Sequence, residues 1–335
     1  MALYLRSIII GFLLAVGVAS LLRIPPLTGP PPRQPVSPNI VRDSFVASLK
    51  RIVPEPHAAF VLGTIIGTTS DLPQSIKNDF ARTSTSHIIA VSGYNITIIA
   101  QIVAAVLAVV MRRSRAFWFT AVVLIAFMII TGAQASVVRA TIMGLYVLLA
   151  RYFGRLPSPT HGLLLAAGIM VALEPRILAY DIGFQLSFLA TAGIFYIVPL
   201  IEDRLPRIAA VPVIGEIFAM TLSAQIAVLP LLIYYFHSLS IISLPINIIV
   251  LPLVPFIMIS GFIAGVLALA IPILGTLAAS IPHLLSYIVL TGIHWASSLS
   301  WAAVTYNFSF LTVLFIYFGM AIFIAGMHLD MNQDM

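Results

Sequence analysis

Residues 87–101 read HIIAVSGYNITIIAQ, and the fold turns on this stretch. It lies inside an apolar run that continues to Met111, long enough to cross a bilayer. Its centre nevertheless carries Ser92, Gly93, Asn95 and Thr97. Polar groups and a helix-weakening glycine at mid-membrane depth are costly unless they face protein or a water-filled cavity. A helix interrupted there is a pointer to a substrate path in a transport protein. The competing reading is a kinked helix whose hydroxyls bond back to its own carbonyls. Spacing alone leaves both open.

The surroundings of this stretch decide the class. The chain has 335 residues, of which 61% are apolar and 8% charged. Soluble domains carry about 25% charged residues, so too little charge remains here to coat a surface in water. The chain contains no cysteine, which excludes disulfides and thiolate chemistry. Its net charge of +6 is unevenly placed. No Lys or Arg follows Arg207, and no formally charged residue lies between Glu216 and Asp330. A segment that long without charge belongs in lipid, as helices joined by tight uncharged turns. The expected fold is an all-α polytopic membrane bundle of about ten hydrophobic elements, some short or re-entrant.

Upstream, residues 1–23 hold an apolar run, 7–22, between Arg6 and Arg23. It reads as a membrane anchor, with a cleaved signal peptide as the alternative. Residues 24–39 are a Pro-rich spacer. Residues 40–86 are the most polar part and read as amphipathic extracytoplasmic helices. Val41, Phe45, Leu49 and Ile52 predict one buried helical face. Pro56 can open a second helix, with Gly63 and Gly67 as a small-residue packing pair. A third starts at Asp71-Leu72-Pro73, with Ile76 and Phe80 on one side, and Thr83 to Ser86 can cap the helix near His87.

The membrane body is expected over 87–327, followed by a polar tail at 328–335. After 87–111 come Arg112, Arg113 and Arg115, then two short runs, 117–130 and 136–150, that can form a hairpin closed by Arg151 and Arg155. Further runs are 161–173, 182–201, 211–236, 239–264, one or two more before Ser300, and 308–327. The placement of basic residues puts 24–86 outside and the Arg112–115, Arg151/155 and Arg204/207 loops in the cytosol.

Arg139 and Asp181 are ionisable residues among apolar neighbours. Such groups cost about 2.5–3.5 kcal/mol at a helix centre on insertion scales. Arg139 is several residues from either end of its run, which favours a buried role over snorkelling. Asp181 reads equally as a helix N-cap or as a buried partner of Arg139. Gln185 lies one turn after Asp181 and Ser187 follows, so that helix has a polar side, either pore-lining or helix-gluing. Gln225, Asn247 and Asn307 read as gluing amides. Pro230, Pro245, Pro252 and Pro255 predict kinks.

No HExxH and no GxxxxGK[ST] occurs, so neither zincin nor P-loop chemistry is supported. Residues i and i+5 of a helix do not meet, which argues against His87 as a base for Ser92. His283 and His294 read as polar packing. No cofactor or metal site and no catalytic residue is expected.

HIIAVSGYNI resembles the first motif of the ComEC-type competence proteins, the inner-membrane DNA-uptake channel family. ASVVRATIM, EPRILAYDIGFQLSFLATAGI, SAQIAVLPLLIYYF and LPINIIVLPLVPFIM resemble further blocks in the same order. The resemblance covers about residues 40–327. It implies a channel passing single-stranded DNA across the cytoplasmic membrane during natural transformation. The residues matching the family pattern along that path are His87, Ser92, Gly93, Arg139, Asp181, Gly183, Gln185, Ser187, Pro230 and Asn247. Asn95 stands where the family has a second His. The resemblance also implies partners: single-stranded DNA, membrane lipid, DNA-delivery proteins, a nuclease and a cytosolic motor ATPase. The sixteen residues 24–39 are too few for the OB-like domain of many relatives. The metal motif of their nuclease domain is missing here, so strand degradation is expected from another polypeptide. Oligomeric state is not legible. The alternative reading is a secondary transporter of a small anionic or amphiphilic solute. A third is a membrane scaffold without a pore.

Overall fold

The computed structural model describes residues 40–89, 93, 95, 96, 98, 99, 103, 111, 113–205 and 214–333. The chain opens with α1 (Ile40–Ile52), α2 (His57–Ile66), α3 (Gln74–Arg82) and α4 (Ser86–Ile89). Then come α5 (Arg113–Ile130), α6 (Ala135–Tyr152), α7 (Pro159–Leu173), α8 (Ile177–Tyr180), α9 (Ile182–Arg204) and α10 (Ile214–Phe236). A short strand, β1 (Ser238–Ser240), precedes α11 (Ser243–Val250), a 3-10 turn at Leu251–Leu253, α12 (Val254–Ala270), α13 (Pro272–Ala278) and α14 (Ser280–Ser298). Strand β2 (Ala303–Thr305) pairs with β1, and α15 (Phe310–Gln333) follows. Among the described residues, five stretches are long and apolar enough to cross a membrane: Ala135–Tyr152, Ile182–Arg204, Ile214–Phe236, Ser243–Ala270 and Pro272–Ser298. The protein is an all-α polytopic membrane protein.

Two compact units divide these elements. The first takes residues 168–239 and 304–335 and is built on α9, α10 and α15. Apolar side chains gain little by leaving lipid for one another, so close backbone approach has to hold such helices together. Gly193 of α9 provides it. A Cβ placed there would lie 2.5 Å from the Ala227 Cβ and 2.7 Å from the Ser223 carbonyl oxygen of α10. Pro230 is buried inside α10 and cannot donate to the turn before it. Near that break, the Tyr317 hydroxyl of α15 donates to the Ala227 carbonyl at 3.0 Å.

The second unit, residues 34–167 and 240–303, is organised on α12. Here too glycines carry the contacts. Phe45 of α1 covers Gly265, and Val61 of α2 covers Gly261; a Cβ at either glycine would come within 2.5 Å of the covering side chain. The Ser48 hydroxyl donates to the Gly265 carbonyl at 3.1 Å. The amphipathic face of α1 therefore lies on α12, with Phe45, Ser48 and Leu49 buried. Val41, expected on that face, is 68% exposed, because the contact starts one turn later at Phe45.

Several local details differ from the sequence reading. Gly67 has a further role at the end of its helix. It ends α2 in the left-handed region, φ +83°, where its N–H reaches the Leu62 and Gly63 carbonyls. Gly63 packs closely, as expected: a Cβ there would lie 3.0 Å from the Ile89 carbonyl oxygen. Of the hydroxyl residues Thr83 to Ser86, Thr83 turns its hydroxyl back to the Asp79 carbonyl of α3 at 2.9 Å. Helices α5 and α6 have 18 residues each, longer than the apolar runs that announced them. At 1.5 Å per residue each is about 27 Å long, close to the thickness of the hydrocarbon core. They meet at a tight turn with positive φ at Gly132 and Ala133. The final helix continues to Gln333, beyond the expected boundary at 327. The β1–β2 pair was not anticipated.

Polar packing joins α14 to the preceding helices of its unit. His283 meets the His57 ring edge-on, centroids 4.8 Å apart. Nδ1 of His294 lies 2.9 Å from Oδ2 of Asp79, whose other oxygen accepts from Ser297. At the far end of α1, Lys50 pairs with Asp71. That pair is half-exposed and contributes little to stability.

Two predictions follow from this packing. Gly193→Ala should lower the melting temperature of the purified protein, by overpacking worth about 1–3 kcal/mol. Gly319→Ala, where among the described residues nothing outside its own helical turn lies within 4 Å of the added Cβ, should leave it unchanged or raised; equal effects would refute the close-approach account. The second concerns pH. Burial, and then the neighbouring His283, lowers the pKa of His57. A histidine with a lowered folded pKa stabilises above its ordinary value of about 6.5, and that contribution is lost as pH falls below it. Melting between pH 7.5 and 5.5 should therefore drop more for wild type than for His57→Phe.

Candidate functional site

The described residues 93, 95, 96, 98 and 99 of the 87–101 stretch are helical, and they are anchored on two sides within their unit. On one side stands Arg139, in the second turn of α6 and 8% exposed. A long cation there needs room, and Gly93 supplies it. A Cβ built at position 93 would lie 2.6 Å from Nη2 of Arg139 and 3.3 Å from the Ala140 Cβ. A side chain at position 93 would therefore have to displace the guanidinium from its present place. The arginine is turned into protein and does not snorkel to a surface. Beside it, Ile96 packs with Leu124 of α5 and Val137 of α6 in a small apolar core.

On the other side, Asn95 is buried and its Nδ2 donates to the Thr64 carbonyl at 2.8 Å. Thr64 lies in the last turn of α2, where carbonyls have no donor of their own helix. Gly67 serves the Leu62 and Gly63 carbonyls, and Asn95 serves the next. Together with the Gly63–Ile89 approach, this fixes the stretch against α2. An amide does this without titrating.

The sequence-derived candidates fall into separate groups. Gly93, Asn95 and Arg139 come together. His87 is exposed at the start of α4. Ser92 and Thr97 lie outside the described residues, as does most of the expected span 87–111. Asn247 is buried in α11; its Nδ2 reaches Ser243 Oγ only at 3.5 Å, and its Oδ1 has no partner among the described residues.

Asp181, Gly183, Gln185, Ser187 and Pro230 belong to the other unit. Asp181 is the N-cap of α9, its carboxylate accepting from the Phe184 N–H at 2.9 Å. A side chain at Gly183 would crowd that carboxylate, with Oδ1 3.0 Å from the Cβ position. Gln185 is buried with both ends used. Its Nε2 donates to the Leu178 carbonyl at 2.8 Å, and its Oε1 accepts from the Tyr235 hydroxyl of α10 at 2.9 Å. Of the two readings left open for Gln185, the hydrogen bonds give helix-gluing. Ser187 is half-buried, one turn before Thr191, whose hydroxyl takes its carbonyl. Asn307, expected to glue helices, is instead exposed in the loop before α15.

Sequence reasoning missed Thr64 and Tyr235, the partners of Asn95 and Gln185. Nothing local in the sequence marks either one, since each acts through a residue 31 or 50 positions away. Among the described residues, no group of three or more His, Asp or Glu is placed to hold a metal ion.

The family model described as "Competence protein" matches residues 64–330. The chain is also similar to ComE operon protein 3 of Bacillus subtilis (strain 168), with 25% identity over 233 residues. That alignment covers 69% of this chain and 29% of the relative, so the chain spans under a third of the curated relative's length. No solved structure matches the chain.

Asn95→Ala should leave the buried Thr64 carbonyl without its donor, at about 1–3 kcal/mol. Thermal unfolding of the purified variant should show this as a lowered midpoint. Asn307→Ala, at an exposed position, should stay within about 0.5 kcal/mol of wild type. Unchanged melting of Asn95→Ala would remove Asn95 from the anchoring role.

Proposed function

The chain belongs to the Competence protein family, and we propose that it forms a membrane path for single-stranded DNA entering the cytosol. One observation supports the reading: Arg139 is buried in the helical body against the backbone at Gly93. A strand carries one negative charge per phosphate, and passage through lipid requires something that offsets it. A cation retained beside a glycine in an otherwise apolar stretch is the kind of element such a path needs. Helix N-termini and amides would supplement it.

In this reading residues 24–86 lie outside the cytoplasmic membrane and the basic ends of the α5–α6 hairpin face the cytosol. The chain acts as a conduit. DNA-delivery proteins present the strand, a separate nuclease degrades its complement, and a cytosolic ATPase pulls, since this sequence has no P-loop.

The test is genetic. Deleting the gene in a transformable host should abolish transformants. Wild type should restore them, and Arg139→Gln should fail to do so at equal membrane abundance. Purified wild-type protein should bind a single-stranded oligonucleotide with an affinity that falls steeply between 50 and 200 mM salt. An unchanged transformation frequency on deletion would overturn the proposal. Counterflow of a small anion without strand binding would instead identify a solute transporter.

A further inference from the structure

The open end of the α5–α6 hairpin carries a string of four aromatic rings. Trp118 meets Phe117 edge-on, centroids 5.0 Å apart; Phe117 meets Tyr152 across the hairpin at 4.8 Å; and Tyr152 meets Phe153 at 5.5 Å. Trp118, Tyr152 and Phe153 are exposed, as are Arg115, Arg151 and Arg155 around them. Neither the channel reading nor the anchoring of residues 87–101 uses this cluster.

The arrangement has two independent parts. From Trp118 an outward stripe of exposed apolar residues runs along α5 through Val122, Ile125 and Ile129. Their spacing of four, three and four residues keeps them on one helical side. Such a side suits acyl chains, and the Trp118 ring at its end then stands at the depth of the headgroups. The arginines then stand just beyond the rings, on the polar side. Amphipathic rings at the interface and guanidinium groups above them complement a phosphate-bearing headgroup whose tail lies along the stripe.

We propose that this end of the hairpin is a binding site for anionic phospholipid. The aromatic string sets its depth in one leaflet, and Arg115, Arg151 and Arg155 take the headgroup phosphate. A nucleic-acid strand shares the phosphate chemistry and stacks on aromatic rings. The lipid is favoured because Trp118 is continuous with the apolar stripe. The site stands whether or not the chain conducts DNA.

The experiment uses Trp118 as reporter. The sequence contains 3 Trp, so Trp295→Phe with Trp301→Phe leaves Trp118 alone. The protein is placed in nanodiscs holding equal mole fractions of an anionic phosphatidylglycerol and a zwitterionic phosphatidylcholine, with bromine on the acyl chains of one or the other. Brominated phosphatidylglycerol should quench Trp118 several-fold more than brominated phosphatidylcholine. Each arginine near an anionic surface is worth about a fivefold preference. Arg115→Gln, Arg151→Gln and Arg155→Gln together should bring the two lipids to equality. Raising salt from 50 to 500 mM should shrink the preference in the unmodified cluster, without dependence on any arginine variant. Equal quenching by both lipids at low salt would overturn the proposal. So would protection of Trp118 from brominated lipid by a single-stranded oligonucleotide, which would assign the cluster to DNA.

Discussion

A guanidinium group held inside the helical body constrains the rest of this protein. Arg139 lies on α6 with its Nη2 in the space that a side chain at position 93 would occupy. This is why a glycine sits in the middle of an apolar stretch where helix propensity alone would disfavour it. It is also why the stretch has to be tied down nearby, since a segment weakened by glycine would not hold a cation in place. The ties are the Asn95–Thr64 hydrogen bond and the close approach of Gly63 to Ile89. Arginine, hydrogen-only residue and amide form one mechanical unit, distributed over α2, α6 and the segment after α4.

The same economy appears throughout the membrane body. Hydrocarbon gives helices little reason to associate, so contacts come from small residues and from the few polar groups that find partners. Gly193, Gly261 and Gly265 place backbones against neighbouring helices. Gln185, Tyr235 and Tyr317 supply hydrogen bonds between helices or to a carbonyl beside a proline break. Outside these points the helices are exposed along sides that suit lipid, as α5 is from Trp118 to Ile129.

The membrane class was legible from the charge-free run between Glu216 and Asp330, because charge density is a property of composition and needs no partner. Helix positions were legible where apolar runs are bounded by Pro, Gly or Arg. Lengths were underestimated for α5 and α6, since arginines and a tyrosine at their ends continue the helix without being apolar. The buried place of Arg139 followed from its distance to both ends of its run. Its neighbour could not be foreseen from local sequence: Gly93 is 46 residues away, and spacing within one element carries no information about another. The N-cap at Asp181 was one of two readings, and the hydrogen bond from the Phe184 N–H shows that cap formed. For Val41 periodicity misled, because it lies before the helix contact begins.

The central claim is that Gly93 is glycine because Arg139 occupies the space beside it. A double-mutant cycle in the purified, lipid-reconstituted protein measures this directly. Gly93→Ala is made alone and in an Arg139→Ala background, and thermal unfolding is read for all four proteins. The account predicts that the alanine at 93 destabilises the protein when Arg139 is present and costs little once it is gone, a coupling of about 0.5–3 kcal/mol. The same cost in both backgrounds would contradict it.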